Sequence, residues 1–423
     1  MTDIHTQTLS NGLTLVAEPM PWLPSASFSL LMPVGAAGDP AGCEGSAAVL
    51  NDWLYRGAGE RTSREFSDAL DDLGVRRGGG AGTEYATLSA SLLADTLPET
   101  LKLYADMVRR PRLEDETFES ARTLALQELR SLDDSPTQRL FIALSNVYFA
   151  SGQGRSAYGT EEGLENLSAE SVRQDYERRV APKGAILSVA GGIEWETLLS
   201  QVQEIFGDWQ GDGTPLPEVE LAPQRTEHIE ADTSQTQIGV AFAGVAPGSD
   251  DWYKHALATG VLSGGMGSRL FSEVREKRGL VYSVAATNRA VRGFGYTLGY
   301  AGTTPERADE TLKVLLDELS KLRKGVSEDE LERSRSGLLS SLVMQGESSG
   351  ARASALARDT FLLGEPRPVS EVKEGVQNAS LDEVNLFLSE RPEPDFTVLT
   401  LGPNATEPNL DESSLNENQE VSA

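Results

Sequence analysis

The chain is poor in the residues that most readily carry chemistry. It has one cysteine, Cys43, so no intramolecular disulfide framework is possible. It has three histidines, His5, His228 and His255, far apart and without ligand spacing. Each reads as a surface or satisfied structural histidine. There is no Gly-x-Ser-x-Gly elbow, and Cys43 has no evident partner for nucleophilic work. Basic residues are scarce: 37 Lys and Arg stand against 65 Asp and Glu, a net charge of −28. A nucleic-acid binder needs a basic face, so this balance argues against one. It favours solubility and attracts basic ligands, basic peptides included. Long apolar runs are missing, so no membrane span is expected. The start, MTDIHTQTLSNGLTLV, lacks the basic and apolar regions of a signal peptide, which makes a cytoplasmic location the expectation.

What is present describes a globular protein. The 423 residues suffice for two domains of about 200 residues, each with its own core. Asn11-Gly12 between two alternating segments signals a hairpin. Strands are expected near 25–32, 85–93 and 185–190. Helices are expected near 46–55, 97–108, 115–132 and 138–148, and one opens at the Thr62–Glu65 capping box. The second half repeats this order, with strands near 237–243, 280–287 and 293–300 and helices near 252–262, 268–277, 305–322 and 327–344. Ser327–Glu330 and Ser380–Glu383 are two further capping boxes. LSAESVRQDYERRVAPKGAILSVAG at 167–191 and ASLDEVNLFLSERPEPDFTVLTLG at 379–402 echo each other at an offset of about 212 residues. GDGTPLPEVELAPQ at 211–224 reads as a linker. Residues 404–423 hold five acids and no bases, the composition of a disordered tail.

The most specific stretch is GSRLFSEVREKRGLVYSV at 267–284. It joins a glycine-rich turn to a charged helix that Gly279 stops, followed by a β-type run. Arg275 lies before the corner and Tyr282 after it, and both can donate hydrogen bonds to a peptide carbonyl. Chemistry alone favours a plainer reading, an exposed helix with an aromatic strand behind it. The wording is more telling. It resembles the C-terminal-domain signature of the pitrilysin and insulinase metallopeptidases, the inverzincins, which include the mitochondrial processing peptidase and bacterial two-subunit relatives.

That resemblance implies an α+β protein of two homologous half-barrel domains: 1–210, a linker at 211–226, 227–403, and the tail at 404–423. It implies that Arg275 and Tyr282 contact the substrate backbone and the developing oxyanion. Gly264, Gly265 and Gly267 would then let substrate backbone approach, although a tight turn before Ser268 explains them equally. Active members carry H-x-x-E-H, two zinc-binding histidines on one helix face with a glutamate that polarises the metal-bound water. The matching stretch here, 45–57, has Ala48 and Asp52 at the histidine positions and Asn51 at the glutamate position. The downstream ligand position keeps an acid, Glu128. Two carboxylates and an amide are a thin set for a hard cation. The substrate edge strand of relatives resembles G-x-x-x-N-A-x-T, and here both the Asn and the Ala positions, 78 and 79, are glycine. A strand so rich in glycine is expected to bulge or loop.

The sequence therefore predicts a non-catalytic subunit that holds no metal or cofactor itself. Arg275 and Tyr282 would complete the zinc site of an H-x-x-E-H-bearing homologous subunit acting on unstructured or basic peptides. A structural scaffold resembling the core proteins of cytochrome bc complexes is the alternative.

Overall fold

A computed structural model describes residues 3–406. The expected acidic tail lies outside the described residues beyond 406. The first half contains strands β1 (His5–Thr8), β2 (Thr14–Pro19), β3 (Ser25–Met32), a two-residue pair β4 (Gly57–Ala58) and β5 (Arg61–Thr62), β6 (Arg76–Ala81), β7 (Ala86–Leu93) and β8 (Ile186–Gly191). Its helices are α1 (Ser46–Trp53), α2 (Ser63–Asp72), α3 (Leu97–Arg109), α4 (Asp115–Ser131), α5 (Pro136–Tyr148), α6 (Glu161–Asn166), α7 (Ala169–Arg179) and α8 (Trp195–Phe206). The second half contains β9 (Thr226–Glu230), β10 (Thr236–Ala243), β11 (Val281–Val291), β12 (Phe294–Thr303) and β13 (Thr397–Gly402). Its helices are α9 (Trp252–Ser263), α10 (Ala308–Lys321), α11 (Glu328–Gly346), α12 (Ser349–Leu363), α13 (Val369–Asn378) and α14 (Leu381–Glu390).

The duplication read from the sequence is a duplication of topology. The first sheet runs β1-β2-β8-β3-β7-β6 and the second β9-β13-β10-β12-β11 when read from its parallel end. In both, one parallel pair (β2 with β8, β9 with β13) is followed by antiparallel neighbours in the same chain order. Strand β1 is the addition in the first half. The echoed segments match element for element: Ser168 caps α7 and Ser380 caps α14, and each helix leads to a fully buried strand.

Burial of β3 and β8 is nearly complete along their length, which requires cover on both sheet faces. One face packs on the helices of its own half, around Trp53, Phe66, Leu101 and Tyr104. The other face is covered from the opposite half. Leu356, Ala357 and Phe361 of α12 pack on Val16, Leu31 and Ile186. In return Leu140 and Leu144 of α5 pack on Ala241, Leu399 and Leu401. Helices α5 and α12 stand at the duplication offset, so the two halves exchange equivalent helices. Each buried leucine contributes roughly 1.5–3 kcal/mol. Polar contacts follow the same seam. Arg352 Nε donates to Glu18 Oε2 at 2.6 Å, Ser188 Oγ donates to the Ala353 carbonyl at 2.6 Å, and the Arg292 N–H donates to Glu84 Oε2 at 2.8 Å.

One expectation is corrected. Residues 76–81 form a regular edge strand with no register shift against β7, from Arg76 opposite Ser91 to Ala81 opposite Ala86. Backbone pairing needs no side chains, so the glycines do not break it. Gly79 nevertheless takes φ +113, and a Cβ there would meet the Thr87 carbonyl oxygen at 2.1 Å. The helix expected at 268–277 is present over 269–276, with Phe271–Glu276 wound as a π-helix and Lys277 N–H donating to the Ser272 carbonyl at 3.0 Å.

Candidate functional site

Helix α1 starts at Gly45, whose φ of 113 suits glycine. Its first turn is held by a buried ionic network. Asp39 accepts from the Gly45 and Ala47 N–H groups at 2.8 and 3.0 Å, and Arg179 donates to Asp39 at 2.9 Å. Asp175 accepts from Ser46 Oγ at 2.7 Å and pairs with Arg179. At the other end Trp53 Nε1 donates to Thr117 Oγ1 at 2.9 Å, tying α1 to α4, the helix that carries Glu128. Spacing of three and four residues then puts Ala48, Asn51, Asp52 and Tyr55 on one face.

That face looks into a cleft of about 740 Å³, which Glu128, Gln138, Tyr158 and the glycines of β6 also line. Ala48, Asn51, Asp52 and Glu128, the positions that the sequence resemblance matches to zinc machinery, thus meet in one cleft. Their chemistry does not suit zinc. Ala48 has no donor atom, and the Asn51 amide cannot act as a base. Asp52 is held by Arg56 Nε at 2.5 Å. Among the described residues, no three His, Cys, Asp or Glu side chains are grouped to hold a metal. Among the described residues the Glu128 carboxylate has no hydrogen-bond or ion-pair partner, and its pKa is raised by partial burial and by the like charge of Asp52. Asn51 Oδ1 is buried and accepts no hydrogen bond. Tyr55 and Arg77, which the sequence reading passed over, complete the wall, with the guanidinium 5.9 Å from the ring centre. Tyr55 was findable, because it lies one helical turn beyond Asn51 and Asp52.

Arg275 and Tyr282 also come together, on irregular backbone. Arg275 sits within the π turn, which Gly279 ends at φ +61. Tyr282 is the extra residue of a β-bulge: Val281 faces Thr303 and Ser283 faces Gly302. Bulges re-aim a side chain, and Tyr282 is 76% exposed. The Arg275 guanidinium carbon lies 5.6 Å from the Tyr282 ring centre and 5.0 Å from that of Phe271. Neighbouring Lys277 and Arg278 are committed to Glu273. Neither Arg275 nor the Tyr282 hydroxyl has a hydrogen-bonding or ionic partner among the described residues, so both donors face outward.

Gly264, Gly265 and Gly267 line a separate hollow of about 240 Å³ with Met266 and Arg333. Below it, Arg269 forks onto Glu330 at 2.6 and 2.8 Å, which holds the Glu330 carboxyl down at about 2. Neither hollow includes Arg275 or Tyr282 in its wall. The chain therefore gathers its candidate residues in three places, not one.

The histidines are accounted for structurally. His5 stacks on Trp195 at 5.0 Å, and His228 Nδ1 meets Thr400 Oγ1 at 2.8 Å. His255 is buried beside Thr297, and burial lowers its pKa to about 4.

Two α+β halves of one sheet topology set the class of protein with which this chain can be compared. The family description "Insulinase (Peptidase family M16)" matches residues 15–161, and "Peptidase M16 inactive domain" matches 166–338. The chain belongs to this insulinase family of peptidases. It is 27% identical over 393 residues to an uncharacterized zinc protease of Streptomyces coelicolor, covering 90% of this chain and 85% of that protein. The crystal structure of a peptidase M16 inactive domain from Pseudomonas fluorescens superposes with a TM-score of 0.85 at 21% identity, covering 96% of this chain and 99% of the other. A chain of complex III2 from Candida albicans superposes equally well, at 18% identity over 97% and 98% of the two chains. Among the described residues, no helix is long and apolar enough to cross a membrane.

Proposed function

We propose that this chain is the non-catalytic member of a two-chain zinc peptidase. It holds no zinc itself. Arg275 and Tyr282 reach into the zinc site of a homologous H-x-x-E-H-bearing partner and donate hydrogen bonds to the oxyanion that forms as the peptide carbonyl is attacked. The observation that carries this reading is the exposed, mutually stacked and otherwise unpaired Arg275–Tyr282 pair, beside an α1 face that lacks its metal ligands. Donors aimed at a developing oxyanion are worth a few kcal/mol each in a closed site (~3 kcal/mol). The outer edge of β6 is unpaired within the sheet and lies on the cleft, so an extended peptide can add to it as a further strand.

The test is reconstitution. The purified chain alone cleaves no fluorogenic peptide, and addition of an H-x-x-E-H-bearing homologue from the same source yields cleavage above that of either chain alone. A second reading, a structural scaffold, is favoured by the likeness to a chain of complex III2. Absence of any rate gain on mixing, despite a stable complex, would select the scaffold.

A further inference from the structure

The second half contains a cavity that shares no residue with the α1 cleft or with the Arg275–Tyr282 corner. About 120 Å³ of space lies between the end of β10, α9, the C-terminal ends of α10 and α14, and the loop at 392–395. Phe242, Leu262, Leu319, Leu322, Phe387 and Leu388 form most of its wall. Protein interiors pack as densely as organic crystals, and voids larger than a water are few. A water takes up about 30 Å³ and needs two to four polar partners, which an apolar wall denies it. Apolar cavities of about 150 Å³ stay dry and take up benzene. The space therefore suits one aromatic ring.

One patch of the wall is polar: His255, Thr259 and Thr297, each more than nine-tenths buried. Behind it stands Asn288, which does not line the cavity. Thr259 Oγ1 donates within reach of both the His255 carbonyl and Asn288 Oδ1, at 2.9 Å each. Thr297 Oγ1 lies 3.2 Å from Asn288 Oδ1 and 3.2 Å from His255 Nε2. Both contacts are hydrogen bonds only if Thr297 donates to Asn288 and Nε2–H donates to Thr297. Burial keeps the ring neutral down to about pH 4, so it has no second N–H, and Nδ1 is left with a lone pair. Asn288 Oδ1 can only accept, so its contact with the ring draws on the same N–H. Every hydrogen of the patch is thus used inside the cluster, and the patch meets the cavity with acceptors alone.

We propose that this cavity is a binding site for a small neutral phenol, whose ring fills the apolar part and whose hydroxyl donates to the His255–Thr259–Thr297 patch. An apolar pocket with a few convergent polar groups is the usual form of a small-molecule site. The mouth favours a neutral ligand. Arg391 donates to the Ala243 and Gly244 carbonyls at 2.8 and 3.2 Å. Arg323 donates to the Arg391 carbonyl at 2.8 Å and pairs with Glu393. The guanidinium donors are therefore engaged, and the exposed Glu393 and Asp395 repel an anion. The site is independent of the peptidase reading above.

The test titrates the full chain at pH 7 with phenol and with fluorobenzene in a calorimeter. The two rings are of nearly one size, and only phenol carries a donor. Phenol is expected to bind once per chain and about tenfold tighter than fluorobenzene, equivalent to about 1.4 kcal/mol. Ala243→Phe, at an exposed position on the mouth, is expected to close the entrance and abolish binding of both rings. His255→Phe keeps a ring in the wall but removes its nitrogens, and is expected to bring the ratio near one. Melting curves show that each variant is folded, and the exposed Ala243→Phe carries the test if His255→Phe is not. Absence of phenol binding, or equal affinity of the parent chain for the two rings, would overturn the proposal. Phenol binding that survives Ala243→Phe would put it elsewhere on the molecule and overturn the proposal as well.

Discussion

The Arg275 guanidinium carbon lies 5.6 Å from the centre of the Tyr282 ring, and both residues stand on backbone that departs from regular geometry. A π turn carries one and a β-bulge the other. Such irregularities weaken local hydrogen bonding and persist where a side chain must be aimed. In the reconstituted enzyme, Tyr282→Phe is expected to lower kcat about 10²-fold with little change in KM, because an oxyanion donor acts mainly in the transition state. Steady-state kinetics checks it. An unchanged kcat would make Tyr282 a mere surface aromatic. The folded chain is expected to keep its melting temperature, since the hydroxyl has no hydrogen-bond partner among the described residues.

A buried ion pair crosses the seam between the halves. Arg352 and Glu18 are each about 7% exposed and lie 2.6 Å apart. Arg352→Met removes the guanidinium from the buried Glu18 pair and is expected to cost about 3–5 kcal/mol in urea unfolding. Adding Glu18→Gln is expected to recover part of that loss. A single variant with unchanged stability would show that Glu18 does not depend on Arg352.

Gly79 is the strained point of β6. Gly79→Val forces a β-branched residue into φ +113 with its Cβ against the Thr87 carbonyl. The expected loss is roughly 1–3 kcal/mol, read as a lowered melting temperature. Gly80→Ala, where a Cβ meets nothing within 4 Å, is the control and is expected to melt like the parent.

His255 makes stability depend on pH. Its folded pKa is about 4, below the ordinary value of 6.5, because burial disfavours the charged ring. The unfolded chain therefore binds the extra proton between these values, and stability falls as pH drops from 6.5 towards 4. The contribution lost is about 3 kcal/mol by linkage. Denaturant melts at pH 7 and pH 4.5 measure it. His255→Gln is expected to flatten this part of the profile, and an unchanged slope would assign it to carboxylates instead.

The α1 face itself can be rebuilt. The combined variant Ala48→His, Asn51→Glu and Asp52→His, with Glu128 across the cleft, is expected to retain one zinc per chain after dialysis, while the parent retains none. Elemental analysis decides. A parent chain that holds zinc stoichiometrically would contradict the non-catalytic assignment, and a variant without zinc would show that α1 and α4 are set too far apart.

Much of the site was legible because its signals are local. Gly45 and Gly57 frame α1, so the residues standing where the resemblance expects two histidines and a glutamate could be read position by position. The Arg275–Gly279–Tyr282 corner was readable for the same reason. The behaviour of β6 was not, because its order comes from the paired backbone of β7 and not from its own side chains. The π turn was equally hidden, since the pattern of charged residues from 269 to 277 fits an ordinary helix as well.

The amino-acid order by itself determined the duplicated α+β plan, the capping of α2, α7, α11 and α14, and the chemical poverty of the α1 face. Capping, periodicity and ligand chemistry depend on residues within a few positions of one another. Tertiary structure alone decided that α5 and α12 change places between the halves, that Glu18 meets Arg352, and that Glu128 shares one cleft with Asn51. Those outcomes depend on which of two apolar sheet faces each helix covers. An amphipathic stripe records that a face must be buried, but not against which half of the chain.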